Sequence, residues 1–211
     1  MPFADDLIAF SERPDANLPQ TALQLARFSL LDWLVCGRAG AEEPVAQKLR
    51  AFGVNEGGVA VSSTFQGPKL SARTAALVNG AASHALDYDD THFAHVGHLS
   101  VGIYPAVLAV AEETGASAKK MIAAFVYGAE AAIRIGLVLG ARHYNTGFHQ
   151  TATAGAFGAT VAAGRLYGLS EDQMRAALGL CATRASGLKS QFGTMGKPYN
   201  AGIAASNGVE C

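Results

Sequence analysis

The stretch Ala152-Thr153-Ala154-Gly155-Ala156-Phe157-Gly158-Ala159-Thr160-Val161-Ala162-Ala163 reads as a helix built almost wholly of small side chains. Such a surface lets a neighbouring helix come close, at the cost of the extra backbone entropy that glycine loses on folding. Thr74 to Ala85 and Val101 to Ala111 share this character. From Ser71 onward similar runs follow one another, broken near Asp89 to His98, Gly115, Gly140 to Gly147, Gly168 and Gly187 to Pro198. Each run is long enough for a helix. The expected fold is therefore all-α, a helical bundle with buried central helices, forming one helical domain over residues 1–211.

Toward the N-terminus, Thr21 to Gly37 carries Leu23, Ala26, Leu30 and Leu34 near a 3.6-residue period, with Gly37 and Gly40 placed to stop a core-facing helix. Pro44 suits the first turn of a short helix through Phe52, and Gly57-Gly58 before Val59-Ala60-Val61 predicts a turn and one brief extended segment. A single strand is too little for a sheet. Ser170-Glu171-Asp172-Gln173 has the form of a capping box and should start a helix through Ala182, while Ser117 starts the one before it. The longest apolar stretch, Met121 to Ala141, contains Glu130 and Arg134 at i,i+4 spacing, which favours a buried helix over a membrane span. Residues 201–211, after Pro198, read as the opening of another helix with no capping signal, so the chain is expected to stop in mid-element.

Half of the 211 residues are hydrophobic, enough for a real core. With 16 basic and 17 acidic residues, net charge is -1, which gives no broad electrostatic attraction to nucleic acid or to an anionic membrane. Neither is expected as a partner, and any anion binding must be local. Cys36, Cys181 and Cys211 are an odd number at wide spacing, which suits reduced thiols. The acidic start, Met1-Pro2-Phe3-Ala4-Asp5-Asp6, lacks the basic and apolar regions of a secretion signal. A cytoplasmic location is the expectation.

Three clusters could carry chemistry. In the first, Asp87-Tyr88-Asp89-Asp90-Thr91-His92 is followed by His95 and His98. Three histidines beside acids fit a metal set, but the familiar zinc spacings are missing and Gly97 interrupts a regular helix; solvated acids with capping histidines at a helix C-terminus are the plainer alternative. The second is Arg142-His143-Tyr144 and Gly147-Phe148-His149-Gln150-Thr151, ahead of the Ala/Gly-rich run. A histidine near a helix N-terminus would be kept neutral by the dipole, as a base requires, although a structural histidine fits there equally. The third is Phe192-Gly193-Thr194-Met195-Gly196-Lys197-Pro198-Tyr199-Asn200. It is no Walker loop, because Gln191 stands where the first glycine should be and Pro198 where a hydroxyl residue would hold magnesium. Lys197, held between helices by Pro198, suits a point cation for a carboxylate, or is an ordinary loop lysine. Together the clusters supply acids, neutral histidines and a cation, with no nucleophile beside a base and no dinucleotide fingerprint. That set fits proton abstraction next to a carboxylate, where a base must act with cations that take up the developing charge.

Asn79-Gly80-Ala81-Ala82-Ser83-His84-Ala85-Leu86-Asp87-Tyr88-Asp89-Asp90-Thr91, Gly97-His98-Leu99-Ser100, Gly147-Phe148-His149-Gln150-Thr151 and Gly196-Lys197-Pro198, in this order, resemble the MmgE/PrpD family, which includes 2-methylcitrate dehydratase, cis-aconitate decarboxylase and iminodisuccinate epimerase. The likeness runs over essentially the whole chain. It implies a helical domain that carries most of the active site, with an α/β lid domain that would follow Cys211 absent from this chain. It implies a lyase or isomerase acting on a small di- or tricarboxylic acid, of the 2-methylcitrate dehydratase kind, without metal or organic cofactor, as a homodimer. By the same resemblance His98, His149 and Lys197 are the catalytic residues, Lys197 meets a substrate carboxylate, and Asp87 and Thr91 bind and orient substrate; which histidine is acid and which base stays open.

Two positions depart from the family pattern. His98-Leu99-Ser100 replaces the usual His-Pro-Ser, and Gln150 stands where many members have proline, which relaxes the backbone that aims each histidine. Members are also typically about twice as long, so the chain is expected to be a truncated copy of impaired activity. The competing expectation is a truncated paralogue that serves as a helical dimerising or binding module.

Overall fold

The computed structural model describes residues 2–211; Met1, which opens the acidic start, lies outside them. Nine α-helices run in the order α1 (Pro2–Ser11), α2 (Gln20–Gly40), α3 (Pro44–Glu56), α4 (Ala72–Ser83), α5 (Ser100–Thr114), α6 (Ala118–Asn145), α7 (Gln150–Tyr167), α8 (Glu171–Arg184) and α9 (Gly196–Glu210), among the described residues. The all-α expectation holds, and no strand is present in that range. The extended segment expected at Val59 to Val61 amounts to one isolated bridge, Ser62 with Leu70. Val61 N–H also donates to the Leu70 carbonyl at 3.0 Å, and among the described residues no neighbouring strand extends the pair.

The small-residue runs form the centre. Helix α4 packs on α9, α9 on α7, and α7 on α5 and α6. Closeness at these contacts depends on absent side chains: a Cβ on Gly80 would lie 2.8 Å from Gly202 Cα, and one on Gly128 2.5 Å from the Gly158 carbonyl oxygen. Helix α7 is buried on nearly every side from Gln150 to Gly164, which is why its sequence shows no polar stripe. A separate aromatic stack fills the space beside α2, where Tyr104 lies 3.8 Å from Phe125 and 5.7 Å from Trp33, ring centre to ring centre. The Tyr104 hydroxyl donates to the Ala26 carbonyl at 2.5 Å.

Local signals set most helix starts. Ser170 and Gln173 form the reciprocal capping box, and the Ser117 hydroxyl accepts from Lys120 N–H. Helix ends were less well marked. Helix α2 passes Gly37 and stops at Gly40, α3 continues past Phe52 to Glu56, and α6 crosses a non-helical Gly140 (φ 63°, ψ -178°) before ending at Asn145. Helix α6 is long and apolar enough to cross a membrane, and 56% of its most apolar window is buried inside the domain. Glu130 and Arg134 pair on it at 2.9 Å, as their spacing predicts.

Candidate active site

The α4–α5 connection, the start of α7 and the first turn of α9 meet at one end of the bundle. The connection is pinned from both sides. Asp90 accepts from Ser100 N–H at 3.0 Å and from the Ser100 hydroxyl at 2.5 Å, so it caps α5 from a distance, and its own N–H donates to Asp32 at 3.1 Å. Asp87 adopts a left-handed backbone (φ 59°), which aspartate tolerates better than most residues. His98 N–H donates to the Thr151 hydroxyl at 3.0 Å, tying the far end of the loop to α7.

Asp89 lies inside this loop with its carboxylate fully buried. Its Oδ1 is 2.9 Å from His84 Nδ1, and its Oδ2 is 2.8 Å from His98 Nδ1. Burial alone would raise the Asp89 pKa, but the hydrogen bonds and positive charge offered by His84 and His98 hold it well below the usual carboxylate range. The same contacts act on His98 in the other direction. Burial opposes its charging, and Lys197 repels it, yet the hydrogen bond and charge of Asp89, with Asp87 behind, raise its pKa above the ordinary imidazole value.

His149 is the N-cap of α7 and almost completely buried. Its backbone is held by short extended pairing with the segment before α9: His149 N–H donates to the Gly187 carbonyl at 3.0 Å, and Lys189 N–H to Gly147 at 2.8 Å. Asn200 of α9 donates its amide to His149 Nδ1 at 3.3 Å and to the Leu188 carbonyl at 3.4 Å. With Nδ1 accepting, the neutral ring carries its proton on Nε2. Its pKa is depressed to about 3, chiefly by burial, then by the cationic forms of His84, Lys197 and His98. The expected neutrality is present, but burial rather than the helix dipole is its main cause.

Lys197 occupies the first turn of α9 and not a loop between helices, because Pro198 is well tolerated where the N–H has no helical partner. Its ammonium forms a close ion pair with Asp87 and lies 5.0 Å from the centre of the Phe192 ring. A cavity of about 220 Å³ is bordered by Thr91, His98, His149, Thr151, Phe192 and Lys197. Lys197 also borders a neighbouring cavity of about 320 Å³ that reaches His84 and Asp87. The structure therefore brings His98, His149, Lys197 and Thr91 around one space, with Asp87 on the far side of the lysine. A larger cavity, about 590 Å³, lies elsewhere among α1, α6, α7 and α8 and is lined mainly by apolar side chains.

Of the three spaced histidines of the first cluster, His92 and His98 border the 220 Å³ cavity and His95 does not. His95 is fully buried with Nδ1 on the Ala132 carbonyl at 3.2 Å, and burial lowers its pKa to about 4. His92 accepts from His95 N–H at 3.2 Å. A different group, His84, Asp87, Asp89 and His98, brings one nitrogen or oxygen each within 4.8 Å of the others. Lys197 pairs with Asp87 there, and the Asp89 carboxylate accepts from His84 Nδ1 and lies 2.8 Å from His98 Nδ1.

His84, Asp89, Thr151 and Asn200 all lie within the sequence motifs and clusters, but the sequence offers Asp89 only as one of three acids for a metal set and gives the other three no role. Which of Asp87, Asp89 and Asp90 turns inward depends on the left-handed step at Asp87, and composition does not encode it.

Two histidines of opposed proton affinity and a lysine around one cavity are groups that acid/base chemistry can use. The chain belongs to the MmgE/PrpD family: the MmgE/PrpD N-terminal domain matches residues 12–211. Similar curated proteins include the cis-aconitate decarboxylase of Aspergillus terreus, 34% identical over 201 residues, covering 92% of this chain and 41% of that protein. The Homo sapiens cis-aconitate decarboxylase is 30% identical over 206 residues, covering 92% of this chain and 42% of its own length. The Mus musculus one is 27% identical over 201 residues, with 92% and 41% covered. The chain thus spans about two-fifths of the length of these relatives.

Proposed function

We propose that the whole protein is a lyase acting on a small di- or tricarboxylic acid by proton transfer next to a carboxylate, with cis-aconitate decarboxylation the favoured reaction. The observation that carries this is the placing of His98, Lys197 and a neutral His149 around one small cavity. The activity for which these relatives are named favours cis-aconitate over 2-methylcitrate or iminodisuccinate.

In cis-aconitate the carboxylate on the saturated carbon can leave as carbon dioxide. Its electron pair forms the new terminal double bond, the original double bond shifts its pair toward the carbon beside another carboxylate, and that carbon takes one proton. Lys197 is suited to hold the carboxylate onto which charge moves, exchanging its bond to Asp87 for one to substrate. His98, whose pKa is raised by Asp89, is suited to deliver the proton from Nε2. His149, neutral and carrying its proton on Nε2, is suited to donate a hydrogen bond to a substrate oxygen, and Thr91 and Asp87 to orient the chain of carboxylates. The homodimer implied by the family resemblance is proposed with it; the exposed Leu25, Phe28 and Leu31 of α2 support a covered face there.

The test is incubation of the whole protein with cis-aconitate, 2-methylcitrate and iminodisuccinate, with products followed by NMR. Itaconate and carbon dioxide from the first acid are expected. Turnover of only one of the others would replace the substrate, and turnover of none would remove the proposal.

A further inference from the structure

Asp89 has no place in the reaction proposed above, yet it touches the residue assigned to proton transfer. We propose that Asp89 is a positioning residue for His98, fixing its proton on Nδ1 and turning Nε2 toward the cavity, and that His84 is the second anchor of the same carboxylate. This deepens the reading of His98 as donor and rests on it for its catalytic consequence.

The geometry leaves little choice of tautomer. His98 Nδ1 lies 2.8 Å from Asp89 Oδ2 and 3.3 Å from the Asp89 backbone carbonyl, and both oxygens can only accept. Nδ1 must therefore carry hydrogen. His84 Nδ1 faces the other side of the carboxylate, 2.9 Å from Oδ1 and 3.1 Å from Oδ2, so it too must carry hydrogen. One buried carboxylate thus orients two imidazoles, whose rings meet edge to face with centres 4.6 Å apart. Both Nε2 atoms are turned to the same side, 3.7 Å (His98) and 4.0 Å (His84) from Asp87 Oδ1. His84 Nε2 is buried and has no hydrogen-bond partner. An orphan of this kind is expensive, and it is accounted for if the ring is kept for its Nδ1 contact with Asp89.

The charges around His98 come from every side. Asp87, Asp89 and His84 face it from the α4–α5 side, His149 from α7 and Lys197 from α9, with His95 behind. Among these only Asp89 is both anionic and in contact with Nδ1. Removing its charge leaves burial and Lys197, which resist protonation of His98, and only the charge of Asp87 to favour it.

The experiment is long-range nitrogen–proton NMR on the whole protein labelled in histidine, with His98→Gln used to assign the ring. In the unmodified protein the neutral His98 should be the Nδ1–H tautomer. Asp89→Asn should lower its charging midpoint by about a unit or more, whereas His84→Asn, which retains a donor at the Nδ1 position, should leave it unchanged. With cis-aconitate, Asp89→Asn should reduce kcat roughly 100-fold, leave KM within about twofold and move the basic limb of the pH profile to lower pH. An Nε2–H tautomer in the unmodified protein would overturn the proposal, and this arm needs no variant to fold. So would an unmoved His98 midpoint in Asp89→Asn accompanied only by a lower Tm, or an equal fall in both variants. Absence of turnover in the unmodified protein removes the proposed reaction while the NMR result on Asp89 stands.

Discussion

His98 and His149 are the same residue type in one cavity, and their surroundings push them apart. His98 gains a carboxylate at Nδ1; His149 gains only a neutral amide and deep burial. That difference is the ground for proposing His98 as the donor, and it was invisible in the sequence, where both histidines follow a glycine or a Gly-Phe pair in similar motifs. The motifs did show which side chains to watch, because His98, His149, Lys197 and Thr91 all reach the cavity. They contain Asp89 and Asn200 but not the contacts these make with His98 and His149 from behind, because their directions are set by backbone steps and helix packing. For the donor itself the expectation is direct. His98→Gln should lower kcat on cis-aconitate by roughly 10²–10⁴-fold with a much smaller change in KM, as general-acid loss does; a change confined to KM in steady-state kinetics would make His98 a binding group only.

Helices were legible here where a periodic or capping signal existed, and their ends were less so. Ser117 and Ser170 mark starts that the structure reproduces, and α6 kinks at Gly140 and ends at Asn145 inside the expected break, while α3 runs past Phe52 to Glu56. The reason is physical: a helix propagates as long as packing rewards it, and tertiary contact outweighs local propensity near its ends. Small residues, by contrast, were a dependable sign of close packing. A Cβ on Gly202 would lie 2.4 Å from the Leu77 carbonyl oxygen, so α4 and α9 would have to separate. Gly202→Ala should destabilise the fold by about 1–3 kcal/mol or more, read as a lower urea midpoint. Gly179 of α8 has nothing within 4 Å of its added Cβ, and Gly179→Ala should be neutral or stabilising by up to about 1 kcal/mol. Equal effects at the two sites would contradict the packing account.

At the scale of the whole molecule, the buried histidines couple folding to pH. His95 and His149 have folded pKa values depressed from 6.5 to about 4 and about 3. As pH falls below 6.5 the unfolded chain takes up these protons first, so stability is lost between about pH 6.5 and the folded values, at roughly 1.4 kcal/mol per unit for each group. Asp89, depressed as a carboxylate, adds a loss at still lower pH, as its folded pKa is approached. His98 works the other way, its contribution present below its unfolded value and lost as pH rises through its raised folded one. Two strongly depressed groups outweigh it, so the urea midpoint should fall between about pH 7 and pH 5; a midpoint that stays level or rises would contradict the burial of His95 and His149.

The shared cavity is best tested by titrating the histidine-labelled whole protein with tricarballylate, a saturated tricarboxylate that cannot lose carbon dioxide by this route. One saturation curve should describe the shifts of both His98 and His149, and Lys197→Met should weaken it at least about tenfold, since a charge-assisted contact is lost. Shifts of the two rings with separate curves, or an affinity indifferent to Lys197, would contradict a single polycarboxylate site.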